Sequence, residues 1–236
     1  MGGVGEGAAI EAAIHCDLVG GGRVVFTNRA AGNLSTMRGQ GREQGRGRRE
    51  ELCRALGLRR LCASRQVHGT VVQLVRTSEG GDEEVPAVDA DGHATSVREL
   101  GMMVLVADCL PVALGSAEAV AMVHAGWRGL AAGVLEEGVG ALRELGEGHG
   151  QIAAAIGPGA SVCCYEVGAE VHAAFGGVHR QGRNLDLRSI ARERLLGAGV
   201  SRVDDVAVCT ICDERFFSHR REGARAGRQA GVAWLS

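Results

Sequence analysis

The stretch MMVLVADCLPVALGSAEAVAMVHAGWR, residues 102–128, decides the fold. Residues 102–106 form an apolar run of strand length and read as a buried strand. Ala107-Asp108-Cys109 follows, where that strand leaves the core. Two further apolar runs, 112–114 and 120–123, flank Gly115-Ser116-Ala117-Glu118, a turn-forming tetrapeptide, which predicts a β-hairpin. Antiparallel pairing of the two arms would bring Cys109 and His124 to the same end of one sheet. A thiol and an imidazole placed together at strand ends make either a metal site or a nucleophile–base pair. A helical pattern starts after His124-Ala-Gly-Trp-Arg-Gly, and its free backbone N–H groups would suit an anion.

Working outward, 236 residues suffice for one large core. Aromatic residues make up only 3% of the chain, so that core must be packed from Val, Leu, Ile and Ala. No apolar run is long enough to cross a bilayer, and a net charge of −2 gives no reason to expect nucleic acid or an anionic membrane as partner. All 26 basic residues are Arg. Without Lys, Schiff-base catalysis and the Walker phosphate loop are excluded. Eight cysteines are too few for a disulfide scaffold in a chain of this length. The opening MGGVGEGAAIEAA lacks the basic start and apolar core of a secretory signal, so a reducing cytoplasm is expected.

Along the chain, residues 1–22 read as a loose N-terminal segment or peripheral strand, and residues 23–236 as a single domain. Strands are predicted at 24–27, 71–75, 152–156, 203–208 and 231–235, and helices at 50–58, 130–145, 167–175 and 187–196. The Gly- and Arg-rich run 38–49 reads as a solvated loop, 77–86 as an acidic loop, and 89–95 as a turn in which Asp91 caps local backbone groups. Arg29 alone reads as a surface charge, and His68 alone as a hydrogen-bonded core residue. The neighbours Cys163 and Cys164 are poorly arranged to bind one metal together and are expected in the core. Cys209-Thr-Ile-Cys212 has the spacing of half a zinc knuckle but lacks a second ligand pair in the usual pattern.

Taken together, QVHG (66–69), ADC (107–109) and HAGWRG (124–129) resemble the signature of the YfiH family, also known as polyphenol-oxidoreductase laccase and as purine nucleoside phosphorylase. FTNR (26–29), DGHAT (91–95), IGPGASVCCYEVG (156–168) and FFSHRR (216–221) extend the resemblance in the same order to nearly everything beyond residue 23. The chain departs from the pattern after FTNR, where AAGNLSTMRG replaces a longer Gly-Gly-Val-Ser segment.

The resemblance implies a single-domain α/β (α+β) fold of mixed sheets with flanking helices, distantly similar to Cys-His toxin deamidases. It also implies a metal on His68, Cys109 and His124: zinc, with copper accepted by the same donors. A laccase reading fits poorly, since a multicopper oxidase needs paired His-x-His motifs and this chain has eight His and none so paired. Phosphorolysis of adenosine, inosine or methylthioadenosine, with accompanying adenosine deamination, makes better use of the residues. Arg29, Arg128 and Arg220 are then phosphate donors. Asp108 and His219 are then expected to move or orient protons, with Cys109 shared between metal and catalysis. The partners are small molecules, and the chain is expected as a monomer or small homo-oligomer. Two alternatives stay open. One is a metal-free Cys109 amidase, with His124 or His68 as base, acting on peptidoglycan precursors. The other is a structural metal site completed by a fourth ligand such as Cys163 or Cys209.

Overall fold

Runs of small and branched apolar residues, buried on both faces, build the centre of the molecule. The structure, a computed structural model, describes residues 10–36, 42–78, 88–146 and 150–236. In chain order the elements are β1 (Ile14–Asp17), β2 (Gly22–Phe26), α1 (Arg42–Ala55), β3 (Arg60–Cys62), β4 (Val72–Val75), β5 (Gly92–Thr95), β6 (Leu100–Val106), β7 (Leu110–Gly115), β8 (Val120–Ala125), α2 (Trp127–Ala132), α3 (Val134–Leu145), β9 (Ala153–Ile156), α4 (Ala169–Ala174), β10 (Arg180–Gln181), β11 (Asn184–Leu185), α5 (Leu187–Gly197), β12 (Arg202–Asp205), α6 (His219–Glu222) and β13 (Gln229–Leu235).

Two mixed sheets carry the fold, one ordered β1-β2-β13-β6-β3 and the other β12-β9-β7-β8-β5-β4. Their inner faces meet through Phe26, Met102, Val104, Ala113, Met122, Ala153 and Ala155. With so few aromatics, small residues bring the sheets close. A Cβ on Gly231 of β13 would lie 2.8 Å from Pro111 and 2.9 Å from the Met122 sulfur. Helices α2, α3 and α5 cover the outer face of the six-stranded sheet with Leu130, Leu135, Val139, Leu142, Ile190 and Leu195. On the opposite side, Leu52 of α1 packs with Val25, Met103, Val232 and Trp234 of the five-stranded sheet. The result is a helix–sheet–sheet–helix sandwich, the mixed α/β architecture expected from the sequence.

The 102–128 hairpin forms as read: β7 and β8 pair antiparallel with Leu110 opposite Ala125 and Pro111 opposite His124, around a turn closed by the Ser116 N–H to the Ala119 carbonyl. Three other expectations are corrected. The run read as a solvated loop at 38–49 is largely helix, because Arg, Glu and Gln favour helix strongly enough to carry two glycines. Gly45 is needed there, since a Cβ would lie 2.0 Å from the Ser35 carbonyl oxygen. The helix expected over 130–145 is broken at Gly133, whose φ of 103° only glycine adopts easily, so α2 and α3 are separate. Residues 92–95, read as part of a turn, form β5 between β4 and β8. Of the two readings of residues 1–22, the peripheral strand holds at 14–17, which form an edge strand paired with β2. Most of the acidic loop at 77–86, and residues 38–41, lie outside the described residues.

One buried side chain makes the fold pH-sensitive. His93 of β5 is fully buried, with Nε2 2.8 Å from the Ser64 hydroxyl and no partner for Nδ1 among the described residues. Burial lowers its pKa from 6.5 to about 4, against the smaller upward pull of the Asp91 charge. The unfolded chain takes up this proton near pH 6.5 and the folded chain only near pH 4. Stability is therefore fully present above pH 6.5 and declines as the pH falls towards 4, by up to about 3 kcal/mol. Denaturant melts across this window are expected to show that decline, and His93→Gln is expected to flatten it.

Candidate metal centre

Two loops and one strand end deliver one ligand each, and the local sequence explains why each is held. Gln66 follows β3 and completes the sheet with its side chain: Nε2 donates to the Leu105 carbonyl and the Leu105 N–H donates to Oε1, both at 2.8 Å. The next turn carries His68 at φ 60°. That left-handed backbone is stabilised by Asp91, at the start of β5, whose carboxylate accepts the N–H groups of Val67 (3.1 Å), His68 (2.9 Å) and Gly69 (2.7 Å). Cys109 enters from the β6–β7 turn and His124 from the end of β8. Gly126 then leaves room: a Cβ there would lie 2.7 Å from the His68 ring and 3.1 Å from the Cys109 sulfur.

The ligand atoms of His68, Cys109 and His124 all lie within 4.8 Å of one another. His68 Nε2 is 3.9 Å from the Cys109 sulfur, and the two imidazoles meet edge to face with centroids 4.9 Å apart. His68 is exposed, Cys109 half-buried and His124 buried. His124 Nδ1 is 2.7 Å from Asp91 Oδ1, which leaves Nε2 for the ligand side. Burial works against charge on both groups of the inner pair. Even so, the positive charge and hydrogen bond of His124, with help from His68, lower the Cys109 pKa. The Cys109 charge and the Asp91 hydrogen bond in turn raise that of His124. Asp91 itself is fully buried, which alone would raise its pKa; hydrogen bonds from His124, Gly69 and Val67 hold it below the ordinary carboxylate range.

These donors fit a soft or borderline metal such as zinc or copper: two imidazoles, one thiol with thiolate character, and a carboxylate orienting one imidazole. Among the described residues no fourth His, Cys, Asp or Glu joins the three, so Cys163 and Cys209 do not close this site.

Of the other expected site residues, Asp108 sits beside Cys109 at φ 88°, with both carboxylate oxygens engaged. Oδ1 accepts from the Thr210 hydroxyl (2.8 Å) and Oδ2 from the Arg220 N–H (2.7 Å). Arg29 is committed to Glu222 and to the Phe216 carbonyl (3.0 Å). The Arg220 guanidinium donates to the Glu166 carbonyl (2.7 Å) and stacks on Tyr165. Arg128 is exposed on the first turn of α2, stacks on Trp127 at 4.4 Å, and has no hydrogen-bond or ion-pair partner among the described residues. His219 is exposed on α6, with Nδ1 3.0 Å from the Gly223 carbonyl oxygen, and does not join the metal group. Asp91 is the residue that sequence reading undervalued. Its motif, DGHAT, was visible, but caps reaching 22–24 residues back along the chain were not. The expectation of core burial for Cys163 and Cys164 is also corrected: Cys163 is exposed and Cys164 half-buried.

The sequence pattern of the multi-copper polyphenol oxidoreductase laccase family matches residues 21–236. The chain belongs to this family. Its relatives include a purine nucleoside phosphorylase of Xylella fastidiosa, 43% identical over 72% of this chain and 70% of the relative. A purine nucleoside phosphorylase of Corynebacterium glutamicum is 35% identical over 90% of this chain and 94% of its own. The solved structure of the Neisseria meningitidis protein NMB0706 superposes with a TM-score of 0.80 at 30% identity, covering 95% of this chain and 99% of that one. YfiH of Bacillus licheniformis superposes with a TM-score of 0.79 at 25% identity, over 91% of this chain and 93% of that one. The laccase-family chain is thus an enzyme-family member of YfiH-like fold with a site that could hold a metal. No helix among its described residues is long and apolar enough to cross a membrane.

Proposed function

We propose that the chain catalyses phosphorolysis of purine nucleosides with a metal, zinc by preference, at His68, Cys109 and His124. The observation that carries this reading is the three-ligand set, which no fourth protein ligand joins among the described residues, on a chain whose relatives are named purine nucleoside phosphorylases. When bound, such a metal supplies a polarising positive charge and a place for substrate or water.

The chain's own residues do the rest. Asp91 holds His124 in one tautomer, with Nε2 turned to the ligand side. Arg128, free of other polar partners among the described residues, is the arginine left available to take phosphate; Arg29 and Arg220 are largely spent on protein groups. Asp108 acts as a positioning residue that fixes Cys109, since both its oxygens already accept hydrogen bonds. In the reaction a phosphate oxygen bonds to the sugar C1′ as the C1′–N9 bond breaks. The electron pair leaves on the purine, which takes up the proton that hydrogen phosphate gives up, and the sugar 1-phosphate and free base result. Adenosine, inosine and methylthioadenosine are the expected substrates, with adenosine deamination at C6 as a companion activity. The free thiols support a reducing, cytoplasmic setting.

Adenosine turnover by the purified chain, resolved into adenine, inosine and hypoxanthine with and without phosphate, tests the scheme. Phosphate-dependent adenine that disappears on chelation is expected, and Arg128→Ala is expected to raise the KM for phosphate about tenfold, as loss of one charged hydrogen-bond donor would. No nucleoside turnover by metal-loaded protein would overturn it.

A second reading is favoured by one specific arrangement. Asp91, His124 and Cys109 form a carboxylate–imidazole–thiol series of the kind that activates a nucleophile. On that reading Cys109 cleaves an amide without metal, with peptidoglycan precursors as the substrate class. Iodoacetamide labelling of Cys109 in metal-free protein, with loss of an amidase activity, would support it.

A further inference from the structure

Two loops far apart in sequence bring four cysteines to one point. Cys163 and Cys164 lie on a turn after β9, in which the N–H groups of Cys164 and Tyr165 both return to the Ser161 carbonyl at 3.0 Å. Cys209 and Cys212 lie on a turn after β12. All four sulfurs are within 4.8 Å of one another, with Cys163–Cys212 at 3.6 Å and Cys164–Cys212 at 2.9 Å. A tetrahedral zinc with four thiolates at its usual bond length sets sulfurs about 3.8 Å apart. The observed separations scatter around that spacing, and both stated distances are longer than the roughly 2.05 Å of a disulfide. A tight turn thus lets adjacent cysteines face the same centre.

The two turns that carry the cysteines are held in place by several hydrogen bonds. The guanidinium of Arg221 holds the turn by donating to the Thr210 and Ile211 carbonyls at 2.9 Å each. Buried Arg188 ties the two loops together: Nε donates to the Ser161 hydroxyl (3.0 Å), Nη2 to the Val208 carbonyl (2.6 Å), and Nη1 pairs with Asp205. The strand-like bridge between Gly159 and Cys209 adds a backbone link. A CxxC pair facing a second thiol pair across a preformed gap is the arrangement of a closed structural zinc site.

We propose that Cys163, Cys164, Cys209 and Cys212 bind a second metal of the zinc class, separate from the His68–Cys109–His124 centre. With four protein ligands this site is closed and structural. Thr210, inside the CxxC turn, donates its hydroxyl to Asp108, the residue next to Cys109, so the second metal braces one wall of the first centre.

The test uses the full chain purified under reducing conditions from zinc-supplied cells, with metal counted by mass spectrometry. Two zinc equivalents are expected in the unaltered chain. One is expected in His68→Ala/Cys109→Ser, and reconstitution of that variant with cobalt should give the strong thiolate charge-transfer bands of a tetrathiolate site. Cys209→Ser/Cys212→Ser should lose those bands while cobalt still reports the imidazole-containing centre. If this second variant fails to fold, the metal count and cobalt spectrum of the first still decide. No metal in His68→Ala/Cys109→Ser, with all four cysteines open to a thiol reagent, would overturn the proposal. Disulfides mapped among the four in the freshly isolated chain would overturn it too.

Discussion

Replacing His68 with alanine is expected to strip metal from the open centre and to remove nucleoside turnover with it. The loss of one of three ligands leaves one imidazole and one thiol, too few to hold zinc against water. Even displaced outer-shell partners of metal ligands cost 10–100-fold in affinity or activity. Removal of a ligand itself is therefore expected to lower kcat/KM by more than about 100-fold. The fold is expected to survive, because the side chain is exposed while the loop is held by backbone bonds to Asp91 and by Gln66 on Leu105. The left-handed φ of 60° suits histidine better than alanine, so the substitution is expected to cost about 1 kcal/mol, well short of the loss expected at Asp91. Metal content, thermal melting and phosphate-dependent adenine release, measured on one preparation, check the result. Activity retained without metal at this centre would move the chemistry to Cys109 alone.

Asp91→Asn is expected to be harsher on the fold. The Asp91 carboxylate is fully buried and accepts four hydrogen bonds, three from the 67–69 backbone and one from His124. Asparagine keeps the shape but turns one acceptor oxygen into a donor, so at least one N–H loses its partner and another donor faces it. Leaving buried donors unpaired costs about 1–3 kcal/mol each, and breaking a buried charged contact about 3–5 kcal/mol. A loss of about 3 kcal/mol in stability is expected even without metal, together with a 10–100-fold weaker site. The two variants are thus told apart by melting: His68→Ala loses metal with only a small loss of stability, and Asp91→Asn loses both. Normal melting and metal binding in Asp91→Asn would show that the carboxylate does not organise the centre.

The hairpin carrying Cys109 and His124 was legible because its apolar runs, its turn and its strand lengths all agree. Its consequence, two ligands at one sheet end, follows from register alone. Helix α1 was obscured by glycines that look like loop punctuation. One of them, Gly45, is there to admit the Ser35 carbonyl, a contact no local pattern announces. Asp91 looked like a local cap because a carboxylate before a strand usually is one, whereas its partners come from a loop on the far side of β4. The cysteine cluster was hidden for the same reason: each pair is uninformative alone, and only the parallel pairing of β9 with β12 sets the two turns side by side. The three arginines were chemically sensible choices for phosphate, but sequence carries no account of which guanidinium already has a partner.

The position of β13 bears on how the molecule comes into being. Residues 229–235 lie between β2 and β6, and their face packs against the sheet that bears Cys109 and His124. A ribosome releases this strand more than a hundred residues after the ligand hairpin. Until then the five-stranded sheet is split into two halves, with a gap where its middle strand belongs. Such distant pairing slows assembly and leaves strand edges exposed in the meantime. The nascent chain therefore displays reactive thiols and imidazoles before their scaffold can close, a window in which stray copper or an oxidant would do most harm.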